Sequence, residues 1–471
     1  MTYKENSNVF LANSGTSCPP NSITLRNCGQ YGGYGTRGLE FPDELRDATG
    51  IAGSYVHVDT CAQVGYWGGH GEPWTIPVVR NGDYIYYPTT TAESDAAHEI
   101  IICEYNISTG YHNYVKVCDI APISPPTKNY SYYRFHYIAW IEDRKILCSP
   151  AIATEQYQCA YIVDCATGIS TLSMTIDNSG DWYNNMIGVY TIKKDDGKVW
   201  LYAVTMYEDW SGDYDTGGVV FHYKNYTDGG NWNYVTQSFA VEGRDLFIHL
   251  GTDAVFVKDD YLVLCFTAQD DRDPFYYAAI GLNLNTHASA YDTLAGDNDW
   301  AVYPFFATPD NDSGLVYCWV QSFIISGDDS YDVITSYNPT TNTIATTYEA
   351  TTEGAGIYIG SSRHKVYFLE VFLDGEPNLY RANPLTLIKS GWTLPQSTQY
   401  NNWWGDVCVE FDDNGPSIWY HGDVDDTIKR ASLDGTDVLN DVPFVSLDYP
   451  WMIHLGDAIW VSNDVEIYLI V

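Results

Sequence analysis

Residues 187–239 read IGVYTIKK-DDGK-VWLYAVTMY, then an acidic loop EDWSGDYDTGG, and then VVFHYKNY-TDGG-NWNYVTQSF. Apolar and polar residues alternate along each of the four runs, which is the pattern of half-buried β-strands. The DDGK and TDGG segments contain the Asp and Gly residues that tight hairpin turns favour. This stretch therefore predicts four consecutive antiparallel strands.

The same four-run cycle recurs about every fifty residues along the chain. Four-stranded units repeated at this period are typical of the blades of a β-propeller, whose sheets share one continuous core. The predicted cycles span 74–121, 133–175, 183–240, 247–294, 300–348, 353–392 and 401–446.

The two ends of the chain supply further strands. Tyr449 to Val471 contains three apolar runs, and NVFLANS and SITLRN lie near the N-terminus. Pairing the ends would cover the strand edges that an open ring exposes. We therefore predict an all-β fold, a single β-propeller of eight blades, or seven if one cycle is a loop, closed by an N-terminal strand that joins the C-terminal blade.

The segment before the first cycle fits no blade. It is rich in Gly, Tyr and Trp, as in GQYGGYGTRG and VGYWGGHGEPW, and FPDELRDATG predicts a short helix. We assign residues 1–73 to the closing strand and a cap, and 74–471 to the propeller. A repeated phrase, IHLGTDAVFV at 248–257 and IHLGDAIWV at 453–461, supports the internal repeat.

One segment also carries a family resemblance. Residues 416–438 read PSIWYHGDVDDTIKRASLDGTDV, which resembles a YWTD repeat of the lipoprotein-receptor type of propeller. The matching positions are Ile418 to Tyr420, Ile428 to Ala431 and Leu433 to Gly435. A looser copy surrounds Tyr367, and the YWTD tetrapeptide itself is absent. The resemblance implies a propeller and no ligand.

The chain is strongly acidic, with 61 Asp plus Glu against 23 Lys plus Arg and a net charge of −38. Such a field repels phosphate backbones and anionic bilayers, so neither nucleic acid nor membrane insertion is expected. The start, MTYKENSNVF, lacks the apolar core of a signal peptide. Eleven cysteines include no CxxC pair. Cys18 and Cys28 stand in a polar, loop-rich segment with Cys61 further on, and the sequence predicts a disulfide among these three, with Cys18 and Cys28 as the candidate pair.

Three kinds of side chain are candidates for a site. Acidic turns place Asp310 near Asp312 and Asp423 near Asp425, where carboxylate oxygens suit Ca²⁺. The same residues are ordinary in turns, so we expect no cofactor and keep calcium as the alternative. The other candidates are ligand-binding residues, namely His249 and His454 in the repeated phrase and Trp403 and Trp404 in YNNWWGD.

No nucleophile motif such as G-x-S-x-G or H-E-x-x-H occurs in the sequence, and no catalytic residue is assigned. The sequence therefore favours a non-enzymatic, acidic surface propeller for assembly or recognition. We expect a virion structural, decoration or host-binding protein at the virion surface or outside the cell. Expected partners are other structural proteins, copies of itself, or a host-surface glycan or protein. The alternatives are a polysaccharide lyase or glycoside hydrolase acting at the channel, and an extracellular adhesin or receptor-like module.

Overall fold

The regular structure of this protein consists of β-strands throughout the residues that the computed structural model describes. In those segments, no helix has the length and apolar character needed to cross a membrane. The described residues are 22–25, 55–60, 78–90, 98–120, 133–152, 157–177, 182–194, 196–209, 216–240, 246–249, 255–258, 260–270, 273–295, 303–310, 312–324, 330–350, 356–362, 365–371, 378–390, 407–412, 415–422, 427–431, 442–443, 451–454, 459–462 and 466–470.

The first nineteen strands come from the N-terminal part of the chain. In order, β1 to β19 are Ser22–Leu25, Tyr55–Thr60, Val78–Asn81, Tyr84–Thr90, His98–Asn106, Tyr111–Ile120, Tyr133–Glu142, Lys145–Ile152, Tyr157–Asp164, Ile169–Asp177, Trp182–Lys193, Val199–Asp209, Thr216–Asn225, Asn233–Ala240, Leu246–His249, Val255–Val257, Tyr261–Asp270, Asp273–Asn283 and Ser289–Ala295.

The remaining strands continue to the C-terminus. In order, β20 to β34 are Tyr303–Asp310, Leu315–Ile324, Ser330–Asn338, Thr343–Glu349, Gly356–Ser362, Lys365–Val371, Asn378–Arg381, Thr386–Lys389, Val407–Asp412, Gly415–Gly422, Thr427–Ala431, Val442–Pro443, Trp451–His454, Ile459–Ser462 and Glu466–Ile470.

These strands form eight antiparallel sheets within the described residues. In five of them, four strands pair in chain order, namely β7–β10, β11–β14, β20–β23, β24–β27 and β28–β31. In a sixth, β15 and β16 both pair with β17, and β18 and β19 follow. A meander of four strands repeated along the chain is the arrangement of propeller blades. The sheets coincide with the cycles predicted from the sequence.

The first and last sheets each take a strand from the N-terminal segment. Strand β1, the SITL run, pairs with β3 and so extends the first sheet, β3–β6. Strand β2 pairs with β34 and adds a fourth strand to the last sheet, β32–β34. The strand that joins the C-terminal sheet thus lies within residues 1–73 but is YVHVDT rather than SITL. NVFLANS and the predicted helix lie outside the described residues.

The repeated IHLG phrase does not mark equivalent structures. In the first copy, β15 and β16 lie end to end along β17, with His249 opposite Thr267 and Val255 opposite Val263. In the second copy, β32 and β33 fold back on each other as a hairpin, with Ile453 opposite Trp460. The residues after IHLG therefore run on along the same neighbouring strand in the first copy, whereas in the second copy they form the returning strand of a hairpin.

A structural repeat stands at the turn between the third and fourth strands of five consecutive sheets. Each turn opens with Asn or Asp, whose side-chain oxygen accepts a backbone N–H two or three residues later. Each turn also contains a residue with positive φ four places after the first, at 53° to 73° in the five turns. Side-chain caps of this kind stabilise tight turns. The turns read NISTG at 106–110, DCATG at 164–168, NYTDG at 225–229, NLNTH at 283–287 and NPTTN at 338–342.

The sheets pack face to face through apolar side chains. Strands that open successive sheets lie next to each other, as β3 does with β7, β20 with β24, and β28 with β32. One buried cluster contains residues of the second, first and last sheets together, including Ile138, Val79 and Trp460. The Trp460 ring lies 5.4 Å from the ring of Tyr87, centroid to centroid. The last sheet therefore packs on the first.

Trp460→Ala tests this packing. Trp460 is fully buried, so its removal leaves a cavity between the two sheets, and we expect the free energy of unfolding to fall by about 3–5 kcal/mol. Denaturant unfolding of the purified protein measures the change. Tyr111→Ala is the matched control, since its ring is 68% exposed, and its effect should stay within about 0.5 kcal/mol. Equal losses in the two variants would contradict the packing described here.

Candidate functional site

The structure does not describe the side chains of most residues that the sequence analysis named as site candidates. His249 ends β15 and His454 ends β32, each in the strand that opens its sheet, while their side chains lie outside the described part. A ligand-binding role for this pair stays a prediction. The residues wholly outside the described segments are Cys18, Cys28, Trp403, Trp404, Asp423 and Asp425.

The acidic turn at Asp310 is described in detail. Asp310 is buried, and its Oδ1 accepts the backbone N–H groups of Asp312 and Ser313 at 3.0 and 3.2 Å. Its Oδ2 lies 3.5 Å from the Nδ2 of Asn383. The Asp312 side chain is exposed. The Asp310 carboxylate thus caps its own turn, and calcium binding by this pair stays a prediction.

Three other side chains come together between the first and last sheets. The ligand atoms of Asp59, Cys103 and His112 all lie within 4.8 Å of one another. Cys103 is buried, whereas Asp59 and His112 are half-buried. We call this group the seam cluster. A thiol, an imidazole and a carboxylate are the donor types that transition metals such as Zn²⁺ prefer.

Strand pairing in the first sheet positions two members of the seam cluster. Cys103 on β5 lies opposite Tyr87 on β4 and Tyr114 on β6, and Tyr105 lies opposite His112. Opposite residues and their second neighbours share one face of a sheet. All five side chains therefore lie on one face of the first sheet, the face that packs against the last sheet.

The third member, Asp59, comes from β2. The pairing of β2 with β34 shifts register between His57 and Asp59, which is a β-bulge. Bulges redirect side chains and are common beside functional sites. The strand is also held by its side chains, because Nε2 of His57 lies 2.8 Å from a carboxylate oxygen of Glu466, and the hydroxyl of Thr60 donates to the same oxygen at 2.9 Å.

Two tyrosines orient the Asp59 carboxylate. The hydroxyl groups of Tyr87 and Tyr114 donate to its Oδ2 at 2.7 and 3.1 Å, and the backbone N–H of Thr60 lies 2.9 Å from its Oδ1. Burial, in the first place, holds the pKa of Tyr87 far above its usual value, so this hydroxyl stays protonated and donates. A carboxylate oxygen accepts about two hydrogen bonds. Oδ2 is therefore saturated, while Oδ1 keeps one lone pair.

His112 lies among aromatic rings. Its ring centroid is 4.8 Å from that of Tyr105 and 5.8 Å from that of Tyr114, and it stacks nearly parallel to the latter. Its Nε2 is buried without a hydrogen-bond partner. A buried polar atom left unsatisfied costs about 1–3 kcal/mol. The seam cluster therefore contains a buried nitrogen with unused binding capacity.

The opposite face of the first sheet is occupied by an ion pair. Glu104 is buried, and its carboxylate accepts hydrogen bonds from Nε, at 2.7 Å, and from Nη2 of Arg144 in the second sheet. The hydrogen bonds from Arg144 to Glu104 raise the pKa of the guanidinium. Asn113 donates to the backbone carbonyl of Cys165 at 2.8 Å. These polar groups satisfy one another and tie the first sheet to the second.

Sequence reasoning missed the seam cluster. Cys103 stands in the apolar run IIICEY and reads as a buried hydrophobe, which it is, and His112 stands in a polar fourth strand. Their shared face follows only from the register of the hairpin. Asp59 is contributed by a strand that no repeat predicts. The sequence pointed to Asp59 only through its position directly after the alternating, strand-like run YVHV.

Comparisons with known proteins add a structural likeness alone. No protein-family model matches the chain, and no curated protein matches it in sequence. Among solved structures, the β-propeller domain of the trilobed protease of Pyrococcus furiosus is similar, with 13% identity, coverage of 78% of this chain and 93% of that chain, and a TM-score of 0.37.

Two further solved structures are of the same kind. Prolyl oligopeptidase B of Galerina marginata has 10% identity, a TM-score of 0.35 and coverage of 82% of this chain and 49% of that one, so the chain spans about half its length. A virginiamycin B lyase of Staphylococcus aureus has 11% identity, coverage of 73% and 96%, and a TM-score of 0.35. Likeness at this level transfers no activity.

A histidine of the third sheet, outside the seam cluster, is held neutral by its surroundings. His222 on β13 lies with its Nε2 3.2 Å from the hydroxyl of Thr205 and its ring 6.2 Å from that of Tyr234. Burial lowers the pKa of His222 to about 4. Because the unfolded chain protonates this group near its ordinary value of about 6.5, the folded state loses stability as the pH falls from that value toward 4.

His222→Gln tests this linkage. Glutamine keeps a polar end near Thr205 but does not titrate, so the variant should lose less stability than the wild type between pH 7 and about pH 4.5. Denaturant midpoints measured across this range give the comparison. The pKa of His287 is also lowered to about 4, chiefly by burial. His287 therefore keeps part of the pH dependence of stability in both the wild type and the variant. Identical pH profiles would show that His222 is not held neutral in the fold.

Proposed function

We propose that this chain is a non-enzymatic, acidic propeller that serves in assembly or recognition, with eight blades closed by β2. The eight sheets and the pairing of β2 with β34 support the blade number and the closure. The contacts of Tyr87 with Trp460 and with Asp59 support them further, because they join the first sheet to the last. Such a ring is a rigid support for surface contacts. We also propose that the chain is related to propellers with YWTD repeats, because residues Ile418 to Ala431 resemble such a repeat.

The observation that carries the function is the placement of exposed apolar side chains. Among the described residues, those that are large, hydrophobic and exposed all lie on the last strand of a sheet, in the turn before it, or on β2. We call them the fourth-strand surface. Its members are Val56, Tyr111, Tyr114, Ile169, Leu172, Tyr234, Leu385, Leu387 and Ile388.

A fourth strand is the edge of its sheet. Edge strands present unpaired backbone groups, and natural proteins usually protect them from association with charges or prolines. Apolar side chains at such an edge instead favour contact with another protein. Five different sheets contribute to the fourth-strand surface. The propeller is thus suited to contacts along its outer side.

The charge of the chain restricts the partner. A net charge of −38 makes two copies repel each other at low ionic strength. A partner that combines apolar and basic residues would complement both the exposed apolar side chains and the negative charge of this chain. Other structural proteins of an assembly therefore fit better than a second copy of this chain.

Within this class, we propose a structural or decoration component of a virion, at the particle surface or in a host-binding position. The support comes from the sequence: the acidic, Tyr-rich composition and the lack of catalytic motifs. A host-surface glycan or protein is the corresponding external partner.

The test is to locate the protein in its native source and then to alter the fourth-strand surface. We expect the protein to sediment with purified particles at a fixed ratio to the other components. The triple substitution Ile169→Ser, Leu172→Ser and Tyr234→Ser should reduce that association by about tenfold or more while leaving the unfolding midpoint near the wild-type value.

The matched control changes polar neighbours on the same two strands, Thr171→Ser and Thr236→Ser, and should associate as the wild type does. Raising the salt concentration should weaken association with a basic partner. Recovery of the protein solely as a soluble species, or triple-variant association equal to that of the control, would count against the proposal.

A further inference from the structure

The seam cluster has the composition of a metal site. It brings a thiol, an imidazole and a carboxylate from three strands into one space, within 4.8 Å of one another. We propose that Asp59, Cys103 and His112 bind a transition-metal ion of the zinc class, which fastens β2 to the first sheet. This inference does not depend on the proposed function.

The spacing is close to that of a bound ion. Zinc bonds of about 2.3 Å to sulfur and 2.0–2.1 Å to nitrogen or oxygen place tetrahedral ligand atoms roughly 3.3–3.7 Å apart. Pairs of these atoms need to approach by up to about 1.5 Å to reach that geometry. Asp59 is half-buried on an edge strand beside a bulge. Its side chain can therefore supply part of this movement without repacking the core.

Two atoms have capacity for a metal. Nε2 of His112 is buried and accepts no hydrogen bond within the described structure, and a metal ion would use its lone pair. Oδ1 of Asp59 receives one backbone N–H and keeps a second lone pair. On binding, the Cys103 thiol gives its proton to solvent and the thiolate becomes the sulfur ligand.

The surrounding hydrogen bonds are of the kind that orients metal ligands. The hydroxyls of Tyr87 and Tyr114 hold the Asp59 carboxylate through its Oδ2, and Oδ1 accepts the backbone N–H of Thr60. Outer hydrogen bonds of this kind set the orientation of ligating carboxylates. Three protein ligands leave the fourth tetrahedral position to water.

The donor set decides the class of metal. Calcium takes six to eight oxygen ligands, whereas the seam cluster offers sulfur, nitrogen and oxygen. Sulfur and imidazole together select zinc and its neighbours such as cobalt. The alternative chemistry for the same three residues is a cysteine nucleophile activated by histidine. Cys103 has no exposed surface, so a substrate carbonyl cannot approach its sulfur.

A metal at this place would join two sheets that are otherwise joined by packing and by the hydrogen bonds of Tyr87 and Tyr114 to Asp59. Asp59 belongs to the last sheet, and Cys103 and His112 belong to the first. An ion that binds all three stabilises the folded state, since it has no comparable site in the unfolded chain. Its main local effect should be on β2, which lies at the edge of its sheet.

The experiment measures binding of Zn²⁺ and Co²⁺ to the purified chain stripped with a chelator. We expect one equivalent to bind, a thiolate-to-cobalt absorption band with Co²⁺, a higher unfolding temperature with Zn²⁺, and slower amide exchange in residues 55–60. Asp59→Asn, Cys103→Ser and His112→Gln should each weaken affinity by about a hundredfold or more and remove the thermal shift.

Cys165→Ser is the matched control. Cys165 is also buried, but its backbone carbonyl faces Asn113 on the opposite side of the first sheet, so binding should persist. Asp59→Asn keeps the proposal testable if a core substitution fails to fold, since Asp59 is half-buried. Absence of binding by the wild type, equal affinity in Asp59→Asn, or loss of binding in Cys165→Ser would overturn the proposal. Inactivation of a hydrolytic activity by thiol alkylation would favour the nucleophile instead.

Discussion

The hydrogen bonds between β2 and β34 are the constraint on which the rest of the structure depends. The C-terminal end of the chain supplies three strands to the last sheet, and β34 would otherwise present an unpaired edge. Strand β2 covers that edge and carries Val58 into the cluster shared with Val79 and Trp460. The same pairing brings Asp59 to Cys103 and His112. The fourth strand of the last sheet and the third member of the candidate site thus come from the same segment.

The first sheet carries polar groups among the apolar side chains of both covered faces, and these groups find their partners in different ways. Toward the second sheet, Glu104 and Arg144 form a mutually satisfied ion pair with several hydrogen bonds. Toward the last sheet, the tyrosine hydroxyls satisfy Asp59, but Nε2 of His112 keeps its capacity. Buried polar groups that are fully paired fix a structure, whereas an unpaired one requires an explanation such as strain, a bound water or an ion.

The exposed apolar side chains and the seam cluster occupy different parts of the protein. The fourth strands combine exposed apolar side chains with an acidic background. The seam cluster lies between the first and last sheets.

The sequence by itself determined the β-strands, their grouping in fours and the turn residues, because each of these follows from alternation and local turn chemistry over a few residues. Gly197 and Gly229, in the DDGK and TDGG turns, do adopt the positive φ that their positions require. The turn motif that begins with Asn106, Asp164 and Asn225 is also visible in the sequence, but its last residue varies between Gly, His and Asn, which makes the repeat hard to recognise.

The tertiary structure alone decided which N-terminal strand completes the last sheet and which side chains share a face. The repeated IHLG phrase is an example, since two nearly identical segments form a continued strand in one place and a hairpin in the other. Asp59, Cys103 and His112 are far apart or differently patterned in the sequence, and they meet through register and the packing of two sheets. Local physical rules do not encode such contacts, because they form only when distant segments pack together.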